Sequence, residues 1–390
     1  MIKKFVVSFT LALICIPASS KADTPITGES IGDMRSFDQA ILRIMSENSI
    51  PGGSLAVAYN GKLVALKSYG YARKKIFTDP IPAHPNHRWR VASVSKPITS
   101  IMILKLFEQG KLSLDDRLLD HLGDEQSPRR LADKRFQQVT IRQLLQHRSG
   151  LLSPSDDPMT GNSPPCPGKT RRWMESHRLA DDPGSKFSYS NTGYCLLGHV
   201  IEKASGESYE KYVIKALAEI GIKSIRMAKS AESDENEVEY FNSPDESRTP
   251  YSSFSLEDLS AAGGLLATPK DLVRFADHLF GTEPSLLKSR EAVLELRTPP
   301  PDSDGKSFYG LGFFVSLAED GQMTMFHPGS LIGTSAFVAR FADGWTVAAT
   351  FNRRKKDRHS LTRQIRNELS YARNAAKPPE APEELSAKYR

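Results

Sequence analysis

The chain has little to anchor it in a bilayer. Its apolar run Phe5 to Ile16 falls well short of the 18 or more residues that a spanning helix needs. With Lys3 and Lys4 before it and a small-residue stretch ending Ser20-Lys21-Ala22 after it, residues 1–22 read as a cleavable secretory signal, and the mature chain is expected to be periplasmic or secreted with no stable membrane span. Cysteine is scarce, at three residues. Cys15 follows Ile14 rather than a small residue, which argues against a lipid-attachment site, and it would leave with the signal. Cys166 in a Pro-rich loop and Cys195 in an apolar segment then remain in an oxidising compartment. A bond between them would constrain the unfolded chain by roughly 3–4 kcal/mol, but the sequence leaves the pairing open. Excess charge is also small: loss of Lys3, Lys4 and Lys21 takes the formal charge from +6 to +3, which gives no reason to expect a nucleic-acid partner. Arg353-Arg354-Lys355-Lys356 reads as a solvated turn rather than an anionic docking patch.

Several chemistries lack their residues. The Gly-x-Ser-x-Gly match at Gly28 to Gly32 follows no apolar strand, so it is not an elbow of the α/β-hydrolase type. Gly168-Lys169-Thr170 has Ser163 where a phosphate-binding loop carries glycine, and His84 and His87 have no cysteine or acidic cluster to complete a zinc site. The sequence therefore calls for no metal and no cofactor.

What is present is Ser93-Val94-Ser95-Lys96 ahead of an apolar run from Ile98 to Phe107. On a helix the two ends of this tetrapeptide share a face, so an amine can take a hydroxyl's proton. The same spacing occurs at Ser208 to Lys211, Ser285 to Lys288 and Ser303 to Lys306, so context must choose among them. After Lys96, residues Ile98, Ile101, Met102, Leu104 and Leu106 predict a helix that Gly110 can stop, and Pro97 belongs in its first turn. Ser93 then stands at the helix start, where unpaired N–H groups can hold an oxyanion. Lys96, flanked by apolar residues, is expected to be partly desolvated, with its pKa moved down.

The alternation around Asn60-Gly61 predicts a hairpin of Ser54–Tyr59 with Lys62–Tyr69. From about 97 to 290 the pattern turns helical, with segments near 97–109, 138–147, 192–204, 207–218 and 269–280. Strands return at Tyr309–Leu317, Gln322–Phe326, Ser335–Phe341 and Trp345–Phe351. The expected architecture is α/β (α+β): an antiparallel sheet flanked by helices and built from both chain ends, about 35–96 and 291–370, with an inserted, mainly helical lobe, about 97–290. Residues 23–370 would form one catalytic domain and 371–390 a weakly ordered tail. Ala228 to Phe254, acidic and polar, is expected to be a surface loop that overhangs the cleft and tunes substrate choice.

Two further groups carry chemistry. Tyr189-Ser190-Asn191 precedes an apolar helix, so a phenol that shuttles a proton and an amide that orients a carbonyl can project together. Tyr240-Phe241-Asn242 has the same spacing without the helix. His327-Pro328-Gly329-Ser330 follows a strand: Gly329 would let a substrate backbone approach an edge, the Ser330 N–H could complete an oxyanion hole, and His327 could hydrogen-bond or donate a proton across the cleft.

Over roughly residues 35–355 these pieces, together with Val139 to Leu151 and Ala261 to Phe275, resemble the serine hydrolases related to class C β-lactamases and penicillin-binding DD-peptidases, a superfamily that also holds D-aminopeptidases and esterases. The resemblance implies a β-lactamase/transpeptidase-like fold, with Ser93 as nucleophile, Lys96 as its activating partner, Tyr189 as proton relay and Asn191 as substrate-orienting amide. His327-Pro328-Gly329 takes the place of the family's Lys-Thr-Gly strand motif. Pro328 removes the hydroxyl that would meet a substrate carboxylate, which weakens the β-lactamase and carboxypeptidase assignments. The expected function is an acyl-Ser93 hydrolase of D-amino-acid-containing peptides, including peptidoglycan-derived ones, or of small esters. A β-lactamase and a non-catalytic penicillin-binding protein of the cell wall are the alternatives.

Overall fold

A computed structural model describes residues 24–73, 79–124, 127–151, 170–230, 233–252, 254–280, 286–379 and 385. The signal segment 1–22, Cys166 and Ser285 lie outside the described residues. The strands are β1 (Ile26–Ser30), β2 (Gly52–Tyr59), β3 (Lys62–Arg73), β4 (Ile81–Pro82), β5 (Trp89–Arg90), β6 (Arg226–Met227), β7 (Leu265–Ala267), β8 (Ser307–Tyr309), β9 (Phe314–Leu317), β10 (Met323–Leu331), β11 (Thr334–Arg340) and β12 (Trp345–Phe351). The helices are α1 (Arg35–Glu47), α2 (Ser95–Glu108), α3 (Ile141–Leu145), α4 (Thr170–Met174), α5 (Asn191–Ser205), α6 (Tyr209–Ala218), α7 (Ser260–Gly263), α8 (Pro269–Phe280), α9 (Arg290–Glu295) and α10 (Arg358–Ala375).

The main sheet runs β1-β3-β2-β12-β11-β10-β9-β8, every neighbouring pair antiparallel, with β4 beside β3. Strands from the two ends of the chain meet at β2 and β12, as the sequence predicts. The Asn60-Gly61 turn has φ of 48° and 79° at its two residues, the left-handed pair that twists two strands into a hairpin. Alternation sorts the sheet's side chains between two cores. Ala56, Ala58, Ala336, Val338 and Ala348 face the helical lobe, whereas Leu55, Val57, Phe337, Ala339 and Val347 face α1 and α10.

Those two outer helices have clear periodicity. Phe37, Ala40, Ile41, Ile44 and Met45 make one face of α1, and Leu361, Ile365, Leu369 and Ala372 one face of α10. Each such Leu or Ile, taken fully from water, contributes about 1.5–3 kcal/mol. α10 continues to Ala375, into the stretch expected to be tail, and Leu385 is buried with its N–H on the Leu63 carbonyl. Packing against β3 outweighs the Lys/Pro/Glu-rich composition at that point.

Two other departures bear on the site. The expected strand Tyr309–Leu317 divides into β8 and β9 around Gly310–Gly312. β10 runs straight through His327-Pro328-Gly329-Ser330 instead of ending before it. Proline is accommodated there because β9 pairs with β10 only as far as Phe326, so among the described residues the β9-facing edge beyond it has no strand partner to receive an N–H. The small sheet β5-β7-β6, which the sequence did not reveal, lies where the lobes join. Cys195, in α5, is disulfide-bonded; the other two cysteines are among the residues not described.

Candidate active site

α2 is buried on every side from Ser95 to Leu106, so its first turn is fixed from all directions. The chain enters it through a 3₁₀ turn, Ala92–Val94, in which Ala92 has φ of 50°. A buried alanine in the left-handed region costs on the order of 1 kcal/mol or more and persists because its surroundings hold it. The Val91 N–H bonds the Leu265 carbonyl at 3.0 Å, and the Ser95 hydroxyl accepts the Leu265 N–H at 3.2 Å, so β7 fastens both sides of the turn. On its other side stands β10: a Cβ on Gly329 would lie 2.3 Å from the Val91 oxygen. Glycine is required at 329 for this close approach of the protein's own backbone, a reason separate from the substrate approach expected from the sequence.

Lys96 is fully buried. Its ammonium donates to Ser93 Oγ at 3.3 Å, Asn191 Oδ1 at 2.6 Å and the Ala262 carbonyl at 2.7 Å, and it lies 4.8 Å from the centroid of the Tyr189 ring. Asn191 opens α5, capped by Ser190, whose hydroxyl accepts the Gly193 N–H at 3.0 Å. The amide expected to orient substrate therefore also binds the lysine. Ala262, in α7, belongs to the run Ala261 to Phe275 singled out in the sequence.

Ser93, Tyr189, Asn191, His327, Gly329 and Ser330 line one cavity of about 420 Å³. All the site residues named from the sequence thus converge, with Lys96 beneath them. Pro328 also lines this cavity; the sequence did not disclose the rest of the wall, which comprises Phe187, Ser188, Phe314, and Arg358, His359 and Thr362 from the start of α10. The period of Leu361, Ile365 and Leu369 marks a helix there but not its approach to the cavity.

His327 is buried, and both of its ring nitrogens are engaged within the protein. Nδ1 donates to the Pro328 carbonyl at 2.7 Å, which leaves Nε2 to accept from the Tyr309 hydroxyl at 3.0 Å. Burial first, and then the Lys96 charge, push its pKa down to about 3, so the ring is neutral. In this arrangement it directs no proton into the cleft, and the expected donation across the cleft gives way to a hold on Tyr309.

The look-alike motifs resolve into structure. Ser208 caps α6 by accepting the Lys211 N–H at 3.4 Å. Tyr240 accepts the Arg90 N–H at 2.7 Å and lies under the Arg90 guanidinium at 4.2 Å. None of the described residues from Ala228 to Phe254 lines the cavity. Among its described residues, Glu237, Val238, Tyr240 and Ser243 are buried, and the Glu237 carboxylate meets Arg90 at 3.0 Å. The expected surface loop is in part a packed clasp, with many of its other described residues exposed.

A profile of the family described as Beta-lactamase matches residues 37–370. The chain belongs to the β-lactamase family of serine hydrolases. The relatives agree with this placement. Protein flp of Staphylococcus aureus (strain N315) is 32% identical over 192 residues, 49% of this chain and 36% of that one, so the chain spans about a third of the length of that relative. The octameric penicillin-binding protein homologue from Pyrococcus abyssi superposes with a TM-score of 0.68 at 25% identity, covering 90% of this chain and 79% of that one. D-amino acid amidase from Ochrobactrum anthropi SV3, complexed with D-phenylalanine, shares the fold at a TM-score of 0.67 and 22% identity over 87% and 99% of the two chains. The family member described here has the mixed α/β architecture, with a large antiparallel sheet, that these neighbours share. Among its described residues no helix is long and apolar enough to cross a membrane.

Proposed function

We propose that this protein is an exported acyl-enzyme hydrolase that cleaves amide or ester bonds in small D-amino-acid derivatives. The observation that carries the reading is the buried Lys96 nitrogen, 3.3 Å from Ser93 Oγ, which lines an open cavity. Ser93 Oγ attacks the substrate carbonyl as its proton passes to Lys96 Nζ, which enters this step as the neutral amine, the C–O bond forms, and the carbonyl oxygen takes the charge. The N–H groups of Ser93 and Ser330 are the proposed donors to that oxygen, an arrangement worth a few kcal/mol in the transition state. Tyr189 returns the proton to the leaving nitrogen or oxygen as its bond to carbon breaks. Water, deprotonated by the same pair, then releases the acid and regenerates Ser93. Asn191 bridges lysine and substrate, and His327 positions Tyr309 and the strand beside the cavity.

The D-amino-acid class is supported by fold neighbours that include the D-amino acid amidase and a D-stereospecific amidohydrolase from Streptomyces. Pro328 offers no hydroxyl to a substrate carboxylate on the strand side. Arg358, which also lines the cavity, offers a cation instead, so acids such as peptidoglycan-derived peptides remain within the proposed range. Export rests on the N-terminal segment, Lys3-Lys4 followed by Phe5 to Ile16.

The test is intact-mass spectrometry after a fluorophosphonate and, separately, a penicillin, alongside turnover of a D-alanyl amide, p-nitrophenyl acetate and nitrocefin. One adduct on the wild-type chain and none on Ser93→Ala is expected, with turnover of the amide or ester. Wild-type turnover by Ser93→Ala would remove the proposal. A penicillin adduct without any turnover would favour the non-catalytic penicillin-binding reading.

A further inference from the structure

The turn after α3 holds a histidine that the mechanism does not use. His147 is buried, has φ of 56°, and lies in a box of aromatic rings. The Tyr189 centroid is 4.2 Å from its own, Tyr309 4.6 Å and Tyr194 5.0 Å. Its polar atoms do something more specific than fill this space. Its carbonyl accepts the Ser188 N–H at 2.7 Å and its Nδ1 accepts the Ser190 N–H at 3.0 Å, so the two amides flanking Tyr189 both end on one residue. The next residue repeats the pattern upstream. The Arg148 carbonyl takes the Gly184 N–H at 2.7 Å while its guanidinium returns bonds to the carbonyls of Gly184, at 3.0 Å, and Ser185, at 3.2 Å.

We propose that His147 is a positioning residue for the reaction: through Nδ1 and its main-chain oxygen it clamps the Ser188–Ser190 backbone and so sets the Tyr189 phenol against Lys96. This deepens the reading above and rests on it for the role of Tyr189. An Nδ1 that accepts an amide proton must itself be unprotonated. The groups facing the ring favour that form: burial, then the Lys96 charge and His327, hold its pKa well below the usual imidazole range, while Tyr189, Tyr194 and Tyr309 present rings. The left-handed φ, unusual for a non-glycine, turns ring and carbonyl toward the same segment.

Two substitutions separate the clamp from simple packing. Asparagine places an amide oxygen where Nδ1 stands and adopts left-handed φ readily. Leucine fills the aromatic box but has no acceptor. If His147 only packs, His147→Leu should perform at least as well as His147→Asn. The clamp predicts the reverse: with both variants folded by circular dichroism, His147→Leu should acylate a p-nitrophenyl ester about 100-fold more slowly, in kcat rather than KM, while His147→Asn stays within about 10-fold of wild type. Hydrogen exchange gives a readout independent of activity. The Ser190 amide should remain protected in His147→Asn and exchange at least about 10-fold faster in His147→Leu. Equal acylation and equal protection in the two variants would overturn the proposal. Tyr189→Phe, measured in parallel, tells the two failures apart: wild-type turnover there would refute the role of Tyr189 and, with it, the catalytic purpose of the clamp, whereas Ser190 exchange alone judges whether the clamp exists.

Discussion

Gly329 and Val91 are in contact so close that a single Cβ at 329 would lie 2.3 Å from the Val91 carbonyl oxygen and 3.3 Å from the Ala92 Cβ. The strand carrying Ser330 and the turn carrying Ser93 are thus held at a separation that only glycine permits. The two proposed oxyanion donors belong to these two segments, so their spacing depends on this contact.

Gly329→Ala should force β10 away from the turn, because the opposing atom is backbone and cannot rotate aside. The expected outcome is a loss of about 1–3 kcal/mol of stability from overpacking, with a larger relative loss of acylation, at least about 10-fold, as the donors separate. Thermal unfolding and single-turnover acylation of the same preparation check both. A variant that unfolds earlier yet acylates at the wild-type rate would show that the spacing does not serve the oxyanion.

Lys96→Met should divide stability from activity. Methionine matches the aliphatic stem, and replacing a buried cation with an apolar side chain is often close to neutral. The substitution does strand Asn191 Oδ1 and the Ala262 carbonyl, which lose their donor at 2.6 and 2.7 Å. A net change within about 2 kcal/mol is expected, against a fall of about 100- to 10,000-fold in acylation as the proton acceptor disappears. Denaturant titration with fluorophosphonate labelling kinetics measures the two.

The reach of the sequence follows the range of the interactions that set each feature. Local signals carried the β2–β3 hairpin and most of the helices, because Asn60-Gly61, the Pro97 position and the apolar periods act within a few residues. The meeting of Ser93, Lys96, Tyr189, Asn191 and the β10 segment followed from the resemblance of ordered motifs, not from any one spacing. What stayed hidden was set at long range. Arg358 and His359 reach the cavity because α10 packs beside α1 on one face of the sheet. Glu237 sits in an acidic, polar stretch and is buried because Arg90, 147 residues away in the chain, meets it. Pro328 pointed to an edge or a strand end, and only the structure chooses: β10 continues, with Pro328 at an edge beyond the last β9 pair at Phe326.

Two buried histidines make stability depend on pH in a definite direction. His327 has its pKa lowered to about 3, and His147 lies well below its ordinary value, in each case chiefly through burial. In the unfolded chain both take up protons near pH 6.5. Between about pH 6.5 and 3 the unfolded state therefore binds more protons than the native state, and stability falls as pH falls through that window, by a few kcal/mol in all. His327→Gln keeps an acceptor for the Tyr309 hydroxyl but cannot titrate. Urea unfolding at pH 7, 5.5 and 4.5 should show a shallower loss in this variant than in wild type. Parallel losses would mean that His327 does not carry the effect.

The Arg90–Glu237 pair yields the last prediction, and it reverses what loop composition suggests. Both side chains are almost wholly removed from water, at 2% and 1% exposure. Arg90 also donates to the Pro250 carbonyl at 2.9 Å, and its backbone N–H to Tyr240 OH at 2.7 Å, so one residue fastens the 234–250 clasp at several points. Arg90 ends β5, just before the turn that presents Ser93. Burial raises the Glu237 pKa against the opposing pull of Arg90, a measure of how strongly this pocket resists an uncompensated charge. Glu237→Ala leaves the guanidinium buried without its carboxylate, which should cost about 3–5 kcal/mol. The clasp does not line the cavity, so the ratio of amide to ester turnover in the folded fraction should stay within about 3-fold of wild type, a change of under 1 kcal/mol in transition-state preference. Denaturant midpoints and paired turnover assays decide between this and a specificity loop. A changed substrate ratio at undiminished stability would assign the segment to substrate selection instead.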